Sequence, residues 1–499
     1  MTARRPAGPV HLRARWVLGH RDGRHLLLPQ GEVVFERGKI VFVGHGYAGE
    51  ATERHDLGNA ILTPGLIDLD ALSDLDTTIL AFDNHPAWKT GRVWPRSYME
   101  RGPYEMYGPE ELAFQKRYAF QALMRNGITT ALPIASLYYR AWGETYAEFA
   151  AAAEAALDLG LRAYLGPAYR AGNPYVTAEG AIELHFDEPR GMAGLDDAVR
   201  FCREFEGRGG GLVRTMLAPD RIETCTEALL RGTARAGREL GVPVRLHCCQ
   251  GAFELATVRH LHGRSPIEWL AALDFLTDRT LLPHGTHVTP SRHSSGPGDD
   301  LALIREHGAV VVHCPLVAAR FGEALASFRR YRELGLRMGL GTDTAPPDLM
   351  AGMQIGLAMC RVMEGDPEAC RAEHYFDAAT LGGADALGRP DLGRIEEGAC
   401  ADLVAFDLGL PHQHQVIDPI QTLLLTGRGR DARTVIIDGR FAMEDRVIPD
   451  VDEAEYTERA QAQFDRLVAL YPDRTWHHPP VTDIFRGSYP LAGDRGAGG

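Results

Sequence analysis

The chain has 499 residues, 45% hydrophobic and 24% charged, with a formal net charge of −14. Its length exceeds one ordinary compact core and predicts a large domain with a smaller satellite. The acidic balance and the lack of a basic stripe argue against a nucleic-acid partner, and no run approaches the ~18 apolar residues of a membrane span.

In chain order, residues 31–44 (GEVVFERGKIVFVG) alternate apolar and polar residues around Arg37-Gly38 and predict a β-hairpin. Residues 401–407 and 433–445 repeat that character, with Asp438-Gly439 as a turn. The two β-rich ends are expected to meet in one small sheet domain, since separate appendages would leave more strand edge unprotected. Between them, short apolar runs alternate with helical stretches, the pattern of βα units and a parallel sheet. Eight strands are predicted at 61–67, 127–134, 161–168, 211–217, 243–248, 280–285, 308–314 and 336–342. Segments 110–125, 144–158 and 225–240 carry apolar residues at helical spacing. Glycines 127, 160, 241, 308 and 335 stand where a helix ends before a strand.

The expected fold is therefore α/β: a (β/α)8 TIM barrel over 61–395 with a small β-sandwich domain from 1–60 and 396–450. Residues 451–499 are expected to form a C-terminal helix and an extended tail, where His477 and His478 sit among prolines and glycines. The eight cysteines show no Cys-x-x-Cys spacing, which predicts reduced thiols in a cytoplasmic protein. The first residues carry arginines and no apolar signal-type run.

Five blocks in order carry a family resemblance: GVPVRLHCCQ (241–250), PIEWLAALDFLTDRTLLPHGTHVT (266–289), GAVVVHCP (308–315), GLGTDT (339–344) and ATLGGADALGRPDLGRIEEGACADLVAFD (379–407). Together with ILTPGLIDLDAL (61–72) they resemble the amidohydrolase superfamily, in its branch acting on triazines, guanine and S-adenosylhomocysteine. The resemblance implies a hydrolase of a non-peptide C–N bond in a small cyclic or amide-type substrate. It implies His247 as a fifth-strand metal ligand and His284 as the residue that orients or activates water. Asp343 would be metal ligand and general base.

Two departures stand out. The family opens on Pro-Gly-Leu-Ile-Asp-x-His-x-His, whose histidines clasp the metal; here those positions are Asp70 and Leu72. Gln250 stands where related deaminases carry a proton-donating glutamate, and an amide has no titratable proton to give. Catalytic zinc usually keeps three protein ligands. Asp70 can join His247 and Asp343 as a third, with Asp74, Asp76 and His85 as further candidates. One divalent metal, zinc fitting best, and a metal-free site remain equal expectations. The alternatives are a metal-independent hydrolase, lyase or isomerase in the same pocket, and a catalytically silent binding homologue. Arg92, Trp94 and Arg96, in an Arg- and aromatic-rich stretch after the first strand, either bind a planar or anionic substrate or pack the rim. Gln250 and His287 are further substrate-side candidates. The partner is expected to be a small molecule, with a homodimer as the default assembly.

Overall fold

The computed structural model describes residues 3–74, 87–135, 137–292, 294–413 and 415–490. The predicted hairpin forms as antiparallel strands Glu32–Glu36 and Lys39–Gly44, within a four-stranded sheet completed by Val10–Arg13 and Glu53–Asp56. A six-stranded sheet joins both ends of the chain, in the order Arg440–Met443, Ala432–Ile437, Leu403–Asp407, Ala60–Pro64, Trp16–Arg21, Arg24–Pro29. Val10, Val33 and Phe35 from the smaller sheet share one apolar cluster with Leu62, Leu403 and Phe441 from the larger. Apolar residues of the alternating segments thus lie in a cluster that both sheets share.

One boundary differs from expectation. Residues 61–67 are not a single strand, because Ala60–Pro64 pairs antiparallel with Leu403–Asp407 and belongs to the six-stranded sheet. The first parallel strand is Leu66–Leu72. Gly65 makes the crossing between them, where a Cβ would collide with the side chain of Thr129. Both strands are wholly buried, so hydropathy alone offers no break between them.

Among the described residues, the middle of the chain carries eight parallel strands in two four-stranded sheets. One holds Leu66–Leu72, Ile128–Ile134, Arg162–Leu165 and Val213–Thr215. The other holds Val244–Arg245, Thr280–Pro283, Val310–His313 and Arg337–Leu340. Leu217 bridges in parallel to Val244 at one seam. At the other, the Asp343 N–H donates to the Asp70 carbonyl at 2.7 Å. The helices between strands follow the predicted pattern. Glu227–Leu240, for example, starts at Thr226, whose side chain accepts from Leu229 N, and ends at Gly241 in the left-handed region (φ 68°).

The C-terminal segment corrects the expected extended tail. Helix Glu453–Leu470 packs on Pro109–Arg125, with the rings of Tyr456 and Phe114 5.5 Å apart. Beyond it, Tyr471, Arg474, Thr475 and Ile484 are buried. Tyr471 and Ile484 share a cluster with Trp94, Tyr98 and Tyr107. The apolar anchors are few and widely spaced, so prolines and polar residues dominate the composition of a segment that nonetheless packs. No helix among the described residues is long and apolar enough to cross a membrane.

Candidate active site

Four residues expected at strand ends converge: one ligand-type atom each from Asp70, His247, His284 and Asp343 lies within 4.8 Å of every other. Asp70, His247 and His284 are buried, and the Asp343 side chain retains 12% exposure. His247 Nε2 is 3.6 Å from Asp70 Oδ2 and 4.0 Å from Asp343 Oδ1. His284 Nε2 is 3.5 Å from Asp343 Oδ2, and the two imidazoles stack with centroids 5.3 Å apart.

The backbone is bent to achieve this. His284 (φ 79°) and Asp343 (φ 42°) both occupy the left-handed region, which costs a non-glycine residue roughly 1–3 kcal/mol and concentrates at functional sites. Asp68 holds the first and last strands together, accepting from Thr342 N at 3.0 Å and Thr342 Oγ1 at 2.6 Å.

His247 Nδ1 lies 2.8 Å from the Asp220 carbonyl. A carbonyl only accepts, so Nδ1 carries the proton and Nε2 points its lone pair into the cluster. Nε2 of both His247 and His284 is buried with no hydrogen-bond partner among the described residues. Burial, followed for His247 by Arg245 and Arg221, holds both imidazoles well below their ordinary range, and they stay neutral at physiological pH. Burial, then the neighbouring Asp70, pushes Asp343 well up from the usual carboxylate range. Burial also raises Asp70, with the Arg245 guanidinium working against it.

This donor set fits a metal. A tetrahedral zinc about 2.1 Å from each ligand spaces its ligands about 3.4 Å apart, close to the 3.5–4.0 Å separations of these pairs. Two inward imidazole nitrogens without a hydrogen-bond partner among the described residues, flanked by two carboxylates, are a poor arrangement unless a cation joins them.

Gly341 presses its backbone on this cluster: a Cβ there would lie 2.5 Å from Asp70 Cβ and 3.0 Å from Cys314 Sγ. Gly341→Ala is expected to displace Asp70 and destabilise the fold by about 1–3 kcal/mol. Thermal melts and zinc titration would read both effects.

The other candidates are placed as follows. Gln250 is held by Arg221, which donates to its Oε1, and Arg221 itself bridges to His247. Both oxygens of Glu254 accept backbone N–H groups, from Cys249 and Gln250, at the start of helix Ala252–His262. Burial, then Glu223, pushes Glu254 up to about 8. His287 is buried with Nε2 3.4 Å from Glu323, apart from the four-residue cluster. Cys314 donates to Asp70 Oδ2 at 3.5 Å, and burial keeps it a thiol.

Trp94 is buried against Tyr98 and Arg170, Arg96 is exposed and pairs with Glu100 at 2.9 Å, and Arg92 lies over the Phe321 ring at 5.7 Å. Asp74 accepts from Tyr139 OH at 3.1 Å, while Asp76 and His85 fall outside the described residues. Arg221 and Arg245 are the residues whose part the sequence left unread. The available signal was alternation, which puts Arg245 on the same strand face as His247.

Residues 61–442 match the Amidohydrolase family. A 5-methylthioadenosine/S-adenosylhomocysteine deaminase from Halobacterium salinarum is 29% identical over 449 residues, covering 88% of this chain and 94% of that protein. A 5'-deoxyadenosine deaminase from Methanosarcina mazei is 26% identical, covering 89% and 94%. Among solved structures, an adenosine deaminase from Xanthomonas campestris with bound zinc superposes with a TM-score of 0.74 at 22% identity, over 92% of this chain and 98% of that one. An atrazine chlorohydrolase from Arthrobacter aurescens complexed with zinc gives 0.71 at 21%, over 91% and 100%. The match extends through the strands that carry Asp70, His247, His284 and Asp343, and this chain belongs to the amidohydrolase family.

Proposed function

We propose that the chain is a metal-dependent hydrolase of a non-peptide C–N bond in a small cyclic substrate. In this reading the eight parallel strands close as a (β/α)8 barrel beside a β-sandwich built from both chain ends. The observation that carries the function is the pair of buried Nε2 atoms, without a hydrogen-bond partner among the described residues, facing two carboxylates. Asp70 Oδ2, His247 Nε2 and one Asp343 oxygen would hold the metal, with His284 Nε2 within reach. When bound, a divalent ion such as zinc acidifies water and polarises the electrophilic carbon's substituent.

The protein's own groups then divide the proton work. Asp343 takes a proton from the attacking water through the oxygen that faces His284 and returns it to the leaving nitrogen. His284, kept neutral by burial, orients that water. Gln250, fixed by Arg221, hydrogen-bonds the ring but transfers no proton, so the whole proton path falls to Asp343. The names of the relatives direct the substrate search to adenine-type nucleosides and aminated or chlorinated triazines.

Protein purified without chelator is expected to hold about one equivalent of zinc, and less than about 0.2 equivalents would refute the metal-dependent reading. Zinc-replete protein is expected to release ammonia from at least one of 5'-methylthioadenosine, S-adenosylhomocysteine, 5'-deoxyadenosine and an aminated triazine. Chelation should abolish that release and zinc should restore it. A zinc-replete protein that cleaves none of them would overturn the assignment of substrate class.

A further inference from the structure

Arg245 sits one alternation below His247 on the fifth parallel strand, and neither it nor Asp70 has any exposed side-chain surface. Its Nη1 donates to Asp70 Oδ1. Asp70 is the sole carboxylate within ion-pair distance of Arg245 among the described residues. The guanidinium Nε and Nη2 have no hydrogen-bond partner there. A buried cation with incomplete hydrogen bonding is expensive, so its retention points to a service it performs for Asp70.

Charge identifies that service. The opening motif that residues 61–72 resemble carries histidines at the positions of Asp70 and Leu72. A carboxylate in place of an imidazole adds one negative charge to a buried cluster that already contains Asp343. Arg245 cancels it. The same contact occupies Oδ1 and leaves Oδ2, which also accepts from the Cys314 thiol at 3.5 Å, facing His247 at 3.6 Å, so the carboxylate offers a single oxygen, as an imidazole offers a single nitrogen. We propose that Arg245 is a positioning residue for metal binding: Asp70 and Arg245 act together as one electrically neutral, single-atom ligand that replaces the family's histidine. This rests on the metal-dependent reading above.

The test is the zinc dissociation constant of the full chain, measured by competition with a chromophoric chelator and accompanied by thermal melts. Arg245→Met is expected to weaken zinc binding about 10- to 100-fold, the usual cost of losing a partner that orients a ligand. Arg245→Lys keeps the charge and a single N–H contact, and should stay within about tenfold of the parent. The decisive variant is the double change Asp70→His with Arg245→Met, which removes the buried charge pair and restores an imidazole. It should bind zinc within about tenfold of the parent and more tightly than Arg245→Met alone. Unchanged affinity in Arg245→Met, or a double variant no better than that single one, would overturn the proposal. If Arg245→Met does not fold, the double variant decides alone: binding weaker by more than about 100-fold sinks the idea. A parent chain that binds no zinc fails the metal-dependent reading and the inference with it, whereas a parent that binds zinc while the variants match it fails the inference alone.

Discussion

Asp343→Asn is expected to lower kcat by about 10³-fold or more while leaving the fold intact. The asparagine keeps the shape of the side chain and one carbonyl oxygen for a metal, but it cannot accept a proton. Asp343 has one carboxylate oxygen toward His247 at 4.0 Å and the other toward His284 at 3.5 Å, so it spans the two imidazoles. Burial and Asp70 raise its proton affinity, which suits a group that must take a proton and hold it until the leaving nitrogen needs it. The loss should fall on kcat, with KM little changed, and zinc content should drop modestly. A variant with full turnover would show that another group moves the proton. Glu223, whose Oε2 is buried without a hydrogen-bond partner among the described residues, would be the next to examine.

The residues of this cluster were legible because the βα pattern fixes where each strand stops, and all four lie at or just beyond such strand ends. His247, His284 and Asp343 could be read from that rule and from the family blocks. Arg245 could not. Alternation assigns it a face, but its partner lies 175 positions away in the chain, and a lone arginine in an apolar strand carries no signature of its counter-ion. The stretch after the first strand was legible only in part. Its arginines and aromatics were read equally as a substrate-binding surface or as packing on the rim. Trp94 and Tyr98 share an apolar cluster with Tyr471 and Ile484, from a segment whose composition suggested an extended tail. Contacts between two irregular segments leave no periodicity in either, so the partner in that packing was not visible in the sequence.

The largest effect on stability is expected from Lys116→Met. Lys116 is 1% exposed and donates to Ser73 Oγ at 2.7 Å and to Glu144 Oε1 at 3.1 Å, with Glu148 Oε1 2.8 Å away. Glu148 also receives two N–H groups from Arg140, at 2.9 and 2.6 Å. Glu144 accepts from Ala135 N at 2.9 Å and Ala168 N at 2.8 Å. Ser73, Ala135 and Ala168 follow the first three parallel strands, so one ammonium group ties together the strand ends beside Asp70. Methionine fills similar volume and leaves two buried carboxylates short of a cation. Breaking such a buried network from one side costs about 3–5 kcal/mol, which in a chain of this length should lower the thermal midpoint by roughly 3–5 °C. Pairing the change with Glu144→Gln should recover part of the loss, because one of the stranded charges is then gone. The network also sets an acid limit. Burial alone would raise Glu148, yet Lys116 and Arg140 outweigh it and hold it at about 2, below its ordinary 4.5. A carboxylate whose folded pKa is depressed stabilises the fold above the unfolded value, and that contribution is lost as pH falls from about 4.5 towards 2. Thermal midpoints measured across that window should fall steeply in the parent and more shallowly in Lys116→Met. Parallel curves, or a variant melting within about 1 °C of the parent at neutral pH, would show that Lys116 does not hold these strand ends together.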